Sequence, residues 1–168
     1  MLETSQIDLH PVEVTPDFSV SGQIYPGHIP AIKQLGFTRI LAVRPDNEED
    51  ADEQPPRFLL EPEVLAAGLQ FSHIPIESGI AFPEIAIRGA AHLFAEAPQK
   101  TLAFCLTGIR SLRLWALGNA LAGTLPPDEI HQAALAAGFD LTQFSTHLKR
   151  LALKQAPYYV ADDYANLI

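Results

Sequence analysis

The chain of 168 residues has a single cysteine, few basic residues and no long apolar run. One cysteine, Cys105, cannot form an intramolecular disulfide or a cysteine-rich zinc site, which is typical of proteins from reducing compartments. Eleven Lys and Arg against twenty Asp and Glu give a formal net charge of −9, and this acidic balance argues against nucleic-acid grooves and anionic-membrane sites. We therefore expect neither nucleic acid nor membrane as a partner.

Targeting and membrane signals are equally scarce. Residues 1–10 have no basic region followed by an apolar stretch, so they do not resemble a signal peptide. Apolar runs such as residues 133–137 fall far short of the roughly 18 residues of a membrane span. The sequence predicts a cytoplasmic protein with a single domain over residues 1–168, in which 11–155 form the core and 156–168 a C-terminal tail. A chain of this length can bury about 70% of its unfolded surface.

Short β-branched or apolar segments alternate with amphipathic ones along the chain. The predicted strands are one or two short edge strands within Val12–Val20, then Thr38–Val43, Phe71–Ile76 and Lys100–Phe104. The predicted helices are His28–Leu35, Pro62–Gly68, Pro83–Ala97, a helix from Ser111 to about Gly123, Asp128–Ala137 and Thr142–Lys154. This alternation predicts an α/β fold with a mainly parallel sheet flanked by helices. Ligands of such sheets bind at the carboxyl ends of strands, where Cys105 lies.

The segment from Cys105 to Ser111 joins a predicted strand to a predicted helix. Backbone N–H groups and a helix N-terminus in such a loop bind anions and stabilise a thiolate, which makes Cys105 the candidate nucleophile. Gly108 allows the required turn, and Arg110 can hold two oxygens of a phosphate or sulfo group. Ser111 is expected to cap the helix and to donate a hydrogen bond to the cysteine sulfur. The predicted anion-binding residues are Leu106, Thr107, Gly108, Ile109, Arg110 and Ser111.

The run from Phe104 to Ser111, with Leu114-Trp115 after it, resembles the phosphatase-like domain of bacterial beta-lactamase-hydrolase-like proteins. Further matches extend the resemblance from about residue 17 to about residue 150; they are Ser21-Gly22-Gln23, Arg44-Pro45-Asp46 with the acids after it, and Ala136-Ala137-Gly138-Phe139-Asp140. The resemblance implies the cysteine phosphatase (tyrosine/dual-specificity phosphatase-like) fold, with a four- to five-stranded sheet flanked by helices.

The sequence also departs from cysteine phosphatases. They usually have His before the cysteine and five residues between Cys and Arg, whereas Phe104 precedes Cys105 and four residues separate it from Arg110. Leu106 stands where the family commonly has a basic residue. A six-residue loop is also similar to that of single-domain rhodaneses, in which the cysteine carries a persulfide. Three functions follow: a phosphatase-like hydrolase of phosphate monoesters with a phosphocysteine intermediate, a rhodanese-like sulfurtransferase, and a non-catalytic module that binds phosphorylated partners.

Hydrolysis of a phosphate ester needs a group that protonates the leaving oxygen. In phosphatases of this fold the group comes from the loop after the preceding strand, and here that loop carries Glu77 and no aspartate. The second candidate is Asp46, in an acidic loop that runs from Asp46 to Glu53. Arg44 is expected either to pair with this acidic loop or, as Asp46 could, to brace the loop of Cys105.

Other residues indicate the kind of ligand. The six histidines have no close metal-ligand spacing, so we expect no metal and no cofactor. Ile80-Ala81-Phe82 and Leu106 predict an apolar rim, which suits a small-molecule or phosphorylated substrate with an aryl or uncharged group. Trp115 is expected to pack in the core. The oligomeric state stays open.

Overall fold

The structure is a computed structural model and describes residues 8–46, 48, 54–79 and 81–154. Its centre is a five-stranded sheet in the order β1-β2-β5-β3-β4. Strand β1 is antiparallel to β2, and the other neighbouring strands are parallel, as the alternating sequence pattern predicts. The strands are β1 (Val12–Thr15), β2 (Phe18–Ser21), β3 (Arg39–Ala42), β4 (Gln70–His73) and β5 (Thr101–Phe104).

Helices cover both faces of this sheet. They are α1 (Ile29–Gln34), α2 (Arg57–Ala66), α3 (Glu84–Ala95), α4 (Ile109–Ala122), α5 (Pro127–Ala136) and α6 (Ser145–Lys154). A 3₁₀ turn precedes α1 at Pro26–His28, and another precedes α6 at Thr142–Phe144. None of the described helices has the length and apolarity that crossing a membrane requires.

The two faces of the sheet belong to two hydrophobic cores. Ile40 on β3 packs with residues of α1 and α2, whereas its neighbour Leu41 packs with residues of α3 and α4. Alternating side chains of a strand point to opposite faces, so β3 and β5, which are buried on both faces, are mostly apolar. Trp115 on α4 is 2% exposed and stacks on Phe18 with ring centroids 5.3 Å apart, which confirms its place in the core.

Several element boundaries differ from the predictions by a few residues; for example, β4 ends at His73 rather than Ile76, and α6 begins at Ser145 rather than Thr142. Three further differences have a clear physical reason. Helix α2 begins at Arg57 rather than Pro62, because the Asp46 carboxylate accepts a hydrogen bond from the Arg57 N–H at 2.9 Å and satisfies a donor of the first turn. Pro62 therefore lies inside the helix instead of in its first turn. Strand β2 is not an edge strand, since β5 pairs with its other side.

The third difference concerns α4, which begins at Ile109 and not at Ser111. Gly108 is its N-cap with φ 93°, and the Leu112 N–H donates to the Gly108 carbonyl at 3.0 Å. The helix therefore starts as soon as the chain has turned past the glycine. The predicted tail over residues 156–168 lies outside the described residues, and the division into domains stays a prediction.

Candidate active site

The loop of residues 105–110, here called the cysteine loop, connects β5 to α4 at the carboxyl edge of the parallel strands. Cys105 is 1% exposed, and its Sγ accepts a hydrogen bond from the Gly108 N–H at 3.0 Å. The Cys105 N–H donates to the Ser21 carbonyl at 3.4 Å, which continues the pairing between β5 and β2. A backbone N–H aimed at the sulfur beside a helix N-terminus is the geometry of a nucleophile site.

Two glycines allow the cysteine loop to lie against the end of β2. Gly108 has φ 93°, and a Cβ there would lie 3.4 Å from the Ser21 carbonyl oxygen. A Cβ on Gly22 would lie 3.0 Å from the Leu106 carbonyl oxygen, closer than almost all real contacts. The Ser21-Gly22-Gln23 segment therefore supplies the surface on which the loop rests.

Arg110 lies in the first turn of α4 and is 8% exposed. Its Nη1 donates to Glu48 Oε1 and to the Ile76 carbonyl oxygen, both at 2.7 Å, and its Nη2 donates to Glu48 Oε2 at 2.8 Å. Burial by itself lowers the pKa of Arg110, but the hydrogen bonds to Glu48 and the nearby Cys105 sulfur outweigh it and raise the pKa. Of the five N–H groups of a guanidinium, these bonds use three and leave the edge formed by Nε and the second N–H of Nη2.

Sequence reasoning did not single out Glu48, which the structure places against Arg110. Its Oε2 also accepts a hydrogen bond from Arg44 Nε at 2.7 Å, and Arg44 Nη1 donates to Gln23 Oε1 at 2.9 Å. The hydrogen bond from Arg110 lowers the pKa of Glu48 below its ordinary 4.5, since it and the bond from Arg44 outweigh burial. Glu48 is therefore ionised at neutral pH and cannot serve as the proton donor.

The sequence contains little that distinguishes Glu48 from the other acids of its loop. It stands four residues after Arg44, a spacing that makes an ion pair between them possible. Its main partner, Arg110, is 62 residues away in the sequence, and no local sequence pattern predicts that contact. Arg44 pairs with an acid of this loop, as one of its two predicted roles required, and that acid in turn holds Arg110.

The two candidate general acids differ in their surroundings. Asp46 is exposed, and its carboxylate is engaged by the Arg57 N–H at the start of α2. Glu77 is exposed and directly follows Ile76, whose carbonyl oxygen accepts the bond from Arg110 at 2.7 Å. The structure thus holds the backbone beside Glu77 against the site, whereas the carboxylate of Asp46 is occupied at a helix end. The role of each as an acid stays a prediction.

The remaining loop residues divide into exposed and buried ones. Leu106 and Ile109 are 53% and 41% exposed, which puts two apolar side chains on the surface of the loop. Thr107 is also exposed. Ser111 is fully buried, and within the described residues its Oγ has no hydrogen-bond partner. The predicted helix cap and the predicted bond to the cysteine sulfur are therefore both wrong, because Ser111 enters the helix two residues after its start.

Phe82, predicted for the apolar rim, is half-buried and packs edge-on against Phe144, with ring centroids 6.1 Å apart. Ala81 is exposed, and Ile80 lies outside the described residues. No group of three His, Cys, Asp or Glu side chains in the described part of the chain is arranged to hold a metal ion. His73 instead places Nε2 3.2 Å from the Arg44 carbonyl oxygen.

The ion pair of Glu48 makes stability depend on pH. A carboxyl whose pKa is lower in the folded protein stabilises it fully above the unfolded value near 4.5, and the contribution disappears as the pH falls through the folded value. We expect Glu48→Gln to be less stable than the parent at pH 7 by about 1–3 kcal/mol, and this gap to narrow as the pH falls below 4.5. Urea denaturation of both proteins from pH 7 to pH 3 measures the difference in their free energies of unfolding. A difference that stays constant over this range would contradict the stabilising ion pair of Glu48.

The chain is similar to known proteins. The family model described as the phosphatase-like domain of beta-lactamase hydrolase-like proteins matches residues 10–122. A beta-lactamase hydrolase-like protein of Agrobacterium fabrum is 32% identical over 139 residues, which cover 83% of this chain and 32% of that protein. One of Xylella fastidiosa is 29% identical over 143 residues, with 85% and 32% covered. The chain therefore spans about a third of the length of these relatives.

Solved structures agree with the family match. A candidate phosphatase from Neisseria meningitidis is 30% identical, with a TM-score of 0.66 over 83% of this chain and 96% of that one. Kinase associated phosphatase, solved with its catalytic-site cysteine replaced by serine, is 16% identical, with a TM-score of 0.65 over 94% of this chain and 100% of that one. The predicted cysteine phosphatase (tyrosine/dual-specificity phosphatase-like) fold is thereby confirmed. The chain belongs to the family of the phosphatase-like domain of beta-lactamase hydrolase-like proteins.

Proposed function

We propose that this domain is a cysteine-dependent hydrolase of phosphate monoesters that works through a phosphocysteine intermediate. The observation that carries the proposal is the cysteine loop itself: an N–H donates to the Cys105 sulfur at 3.0 Å, and one edge of the buried Arg110 stays outside its bonds to Glu48 and Ile76. Membership of a phosphatase-like family supports the same chemistry.

The reaction has two steps. The Cys105 thiolate attacks phosphorus, an S–P bond forms, and the bond from phosphorus to the ester oxygen breaks while a general acid protonates that oxygen. Water then attacks phosphorus, the S–P bond breaks, and inorganic phosphate leaves with the thiolate restored. Throughout, Arg110 and the backbone N–H groups of the cysteine loop bind the non-reacting oxygens, which carry the negative charge.

We assign the general acid to Glu77 in preference to Asp46. The chain at Ile76–Glu77 is held against Arg110 by a hydrogen bond of 2.7 Å, whereas Asp46 Oδ1 accepts from the Arg57 N–H. An exposed carboxyl at the rim can meet a leaving oxygen and afterwards take a proton from water. Asp46 then serves mainly to begin α2.

Leu106 and Ile109 define the substrate class. These exposed apolar side chains flank the loop, and its one charged side chain, Arg110, is already paired with Glu48. An aryl or other uncharged group on the phosphate can bury apolar surface against them. The exposed carboxylates of Asp46 and Glu77 would repel a polyanionic partner, and the cysteine loop has no free cation to bind it.

Sulfur transfer is the second candidate, and the four-residue spacing between Cys105 and Arg110 favours it. In that reaction the thiolate attacks the outer sulfur of thiosulfate, the S–S bond breaks, sulfite leaves, and a cysteine persulfide remains. No leaving oxygen needs a proton, so neither Glu77 nor Asp46 would take part.

One experiment separates these functions. The protein is mixed with 4-nitrophenyl phosphate or with thiosulfate, quenched in acid and weighed intact; we expect an added phosphoryl group from the first and no added sulfur from the second. Glu77→Gln should slow turnover of phenyl phosphate by about 10²-fold or more, and slow 4-nitrophenyl phosphate less, because the poorer leaving group depends more on protonation. Sulfur addition without phosphoryl addition would replace the hydrolase by the transferase, and the leaving-group pattern appearing in Asp46→Asn instead would move the acid to Asp46.

A further inference from the structure

We propose that Glu48 is a positioning residue that fixes the guanidinium of Arg110 in the orientation that binds the substrate anion. The inference rests on the anion site of the proposed function and names a residue that this site requires. Glu48 lies in the acidic loop after β3, outside the cysteine loop, and its carboxylate is only 13% exposed.

Glu48 and Arg110 form a bidentate ion pair. Each carboxylate oxygen of Glu48 accepts from a different nitrogen of Arg110, at 2.7 and 2.8 Å, so the two planar groups are held in one relative orientation. The Ile76 carbonyl accepts a further N–H of Arg110 at 2.7 Å. A flexible side chain held at three points has little rotamer freedom left to lose when a ligand binds.

Glu48 is in turn held from its other side. Arg44 donates to Oε2 at 2.7 Å, and Gln23, at the end of β2, accepts from Arg44 at 2.9 Å. The side-chain network therefore runs from Gln23 through Arg44 and Glu48 to Arg110. It links the chain just after β2 and β3 to the first turn of α4.

The opposite hypothesis is that Glu48 is an internal anion that competes with phosphate for Arg110. The two hypotheses predict effects of opposite sign for Glu48→Gln, which keeps the size of the side chain and one acceptor oxygen but places an NH₂ group against guanidinium donors. Removing a negative charge near the site should tighten phosphate binding if Coulomb repulsion is all that matters. Loss of this bidentate pair should weaken phosphate binding, because the Arg110 side chain can then adopt other rotamers.

Isothermal titration with inorganic phosphate measures directly whether Glu48→Gln tightens or weakens phosphate binding. We expect Glu48→Gln to raise the Kd for phosphate by about tenfold or more, and to lower kcat/KM for 4-nitrophenyl phosphate. Glu96→Gln is the matched control. Glu96 accepts from the buried Arg39 at 2.8 Å, and Arg39 begins β3 at the other end of the sheet, so this variant loses an ion pair to a buried arginine away from the site. Its Kd for phosphate should stay within about twofold of the parent.

Phosphate binding by Glu48→Gln that equals or exceeds that of the parent overturns the proposal. If circular dichroism shows that this variant does not fold, Gln23→Leu takes its place. It removes one of the acceptors of Arg44, the residue that holds Glu48, and should weaken phosphate binding in the same direction; an unchanged Kd there overturns the proposal too. Failure of the hydrolase function would look different: phosphate binding would still depend on Glu48, while the parent protein would show no turnover.

Discussion

Replacing Cys105 with serine is expected to lower kcat/KM for 4-nitrophenyl phosphate by at least about 10³-fold. The side chain lies at the end of β5, 1% exposed, and its sulfur accepts the Gly108 N–H at 3.0 Å. A hydroxyl in that position is too weak an acid to ionise at neutral pH, so the same N–H would face a neutral oxygen and the nucleophile would be lost. Steady-state release of 4-nitrophenol measures the loss.

The same variant reports on the anion site independently of turnover. Serine is slightly smaller than cysteine and leaves Arg110 with Glu48 and Ile76 untouched, so phosphate should still bind to Cys105→Ser in isothermal titration. Turnover equal to that of the parent would refute Cys105 as nucleophile. A parent protein that binds phosphate but hydrolyses no ester and accepts no sulfur would instead be the binding module that the sequence also allows.

Gly118→Ala is expected to destabilise the fold by about 1–3 kcal/mol, although the same change in an ordinary helix interior stabilises by about 1 kcal/mol. Helices α3 and α4 are in close contact at this glycine. A Cβ on Gly118 would lie 2.8 Å from the Ala90 Cβ, 3.0 Å from the Ala90 carbonyl carbon and 3.1 Å from the Ala91 nitrogen. Two of these atoms are backbone, so the clash can be relieved only by moving one helix away from the other.

Gly89→Ala provides a control with the identical substitution on the facing helix. A Cβ on Gly89 would lie 3.6 Å from Ile74 Cδ1, an ordinary contact, so helix propensity should decide and the variant should be neutral or more stable by up to about 1 kcal/mol. Urea denaturation of both variants gives the two free energies of unfolding. Shifts of the same sign and size would show that α3 and α4 adjust their spacing freely. Because α4 begins in the cysteine loop, such a displacement at Gly118 should also alter phosphate binding.

Local patterns were sufficient for most of the fold. Strands β3 and β5 are short, mostly apolar runs, and each turn or helix signal acts within a few residues, so the α/β alternation and the mainly parallel sheet follow from the sequence. The boundaries that were wrong depend on distant contacts. Helix α2 extends back to Arg57 because Asp46, eleven residues earlier, accepts its N–H. Ser111 is not the N-cap of α4, because Gly108 occupies that position and the helix begins at Ile109.

The candidate site likewise combines residues that the sequence predicts with one that it does not. Cys105, Gly108 and Arg110 lie within six consecutive residues between a strand and a helix, so the sequence alone predicts an anion-binding loop with a thiol in it. Glu48 is separated from Arg110 by 62 residues, and only the pairing of β3 with β5 brings the loop that carries it to the site. The sequence by itself thus predicted the cysteine and the arginine of this loop. The tertiary structure decided which carboxylate holds that arginine, because hydrogen bonds between side chains far apart in the chain depend on the packing of the whole sheet.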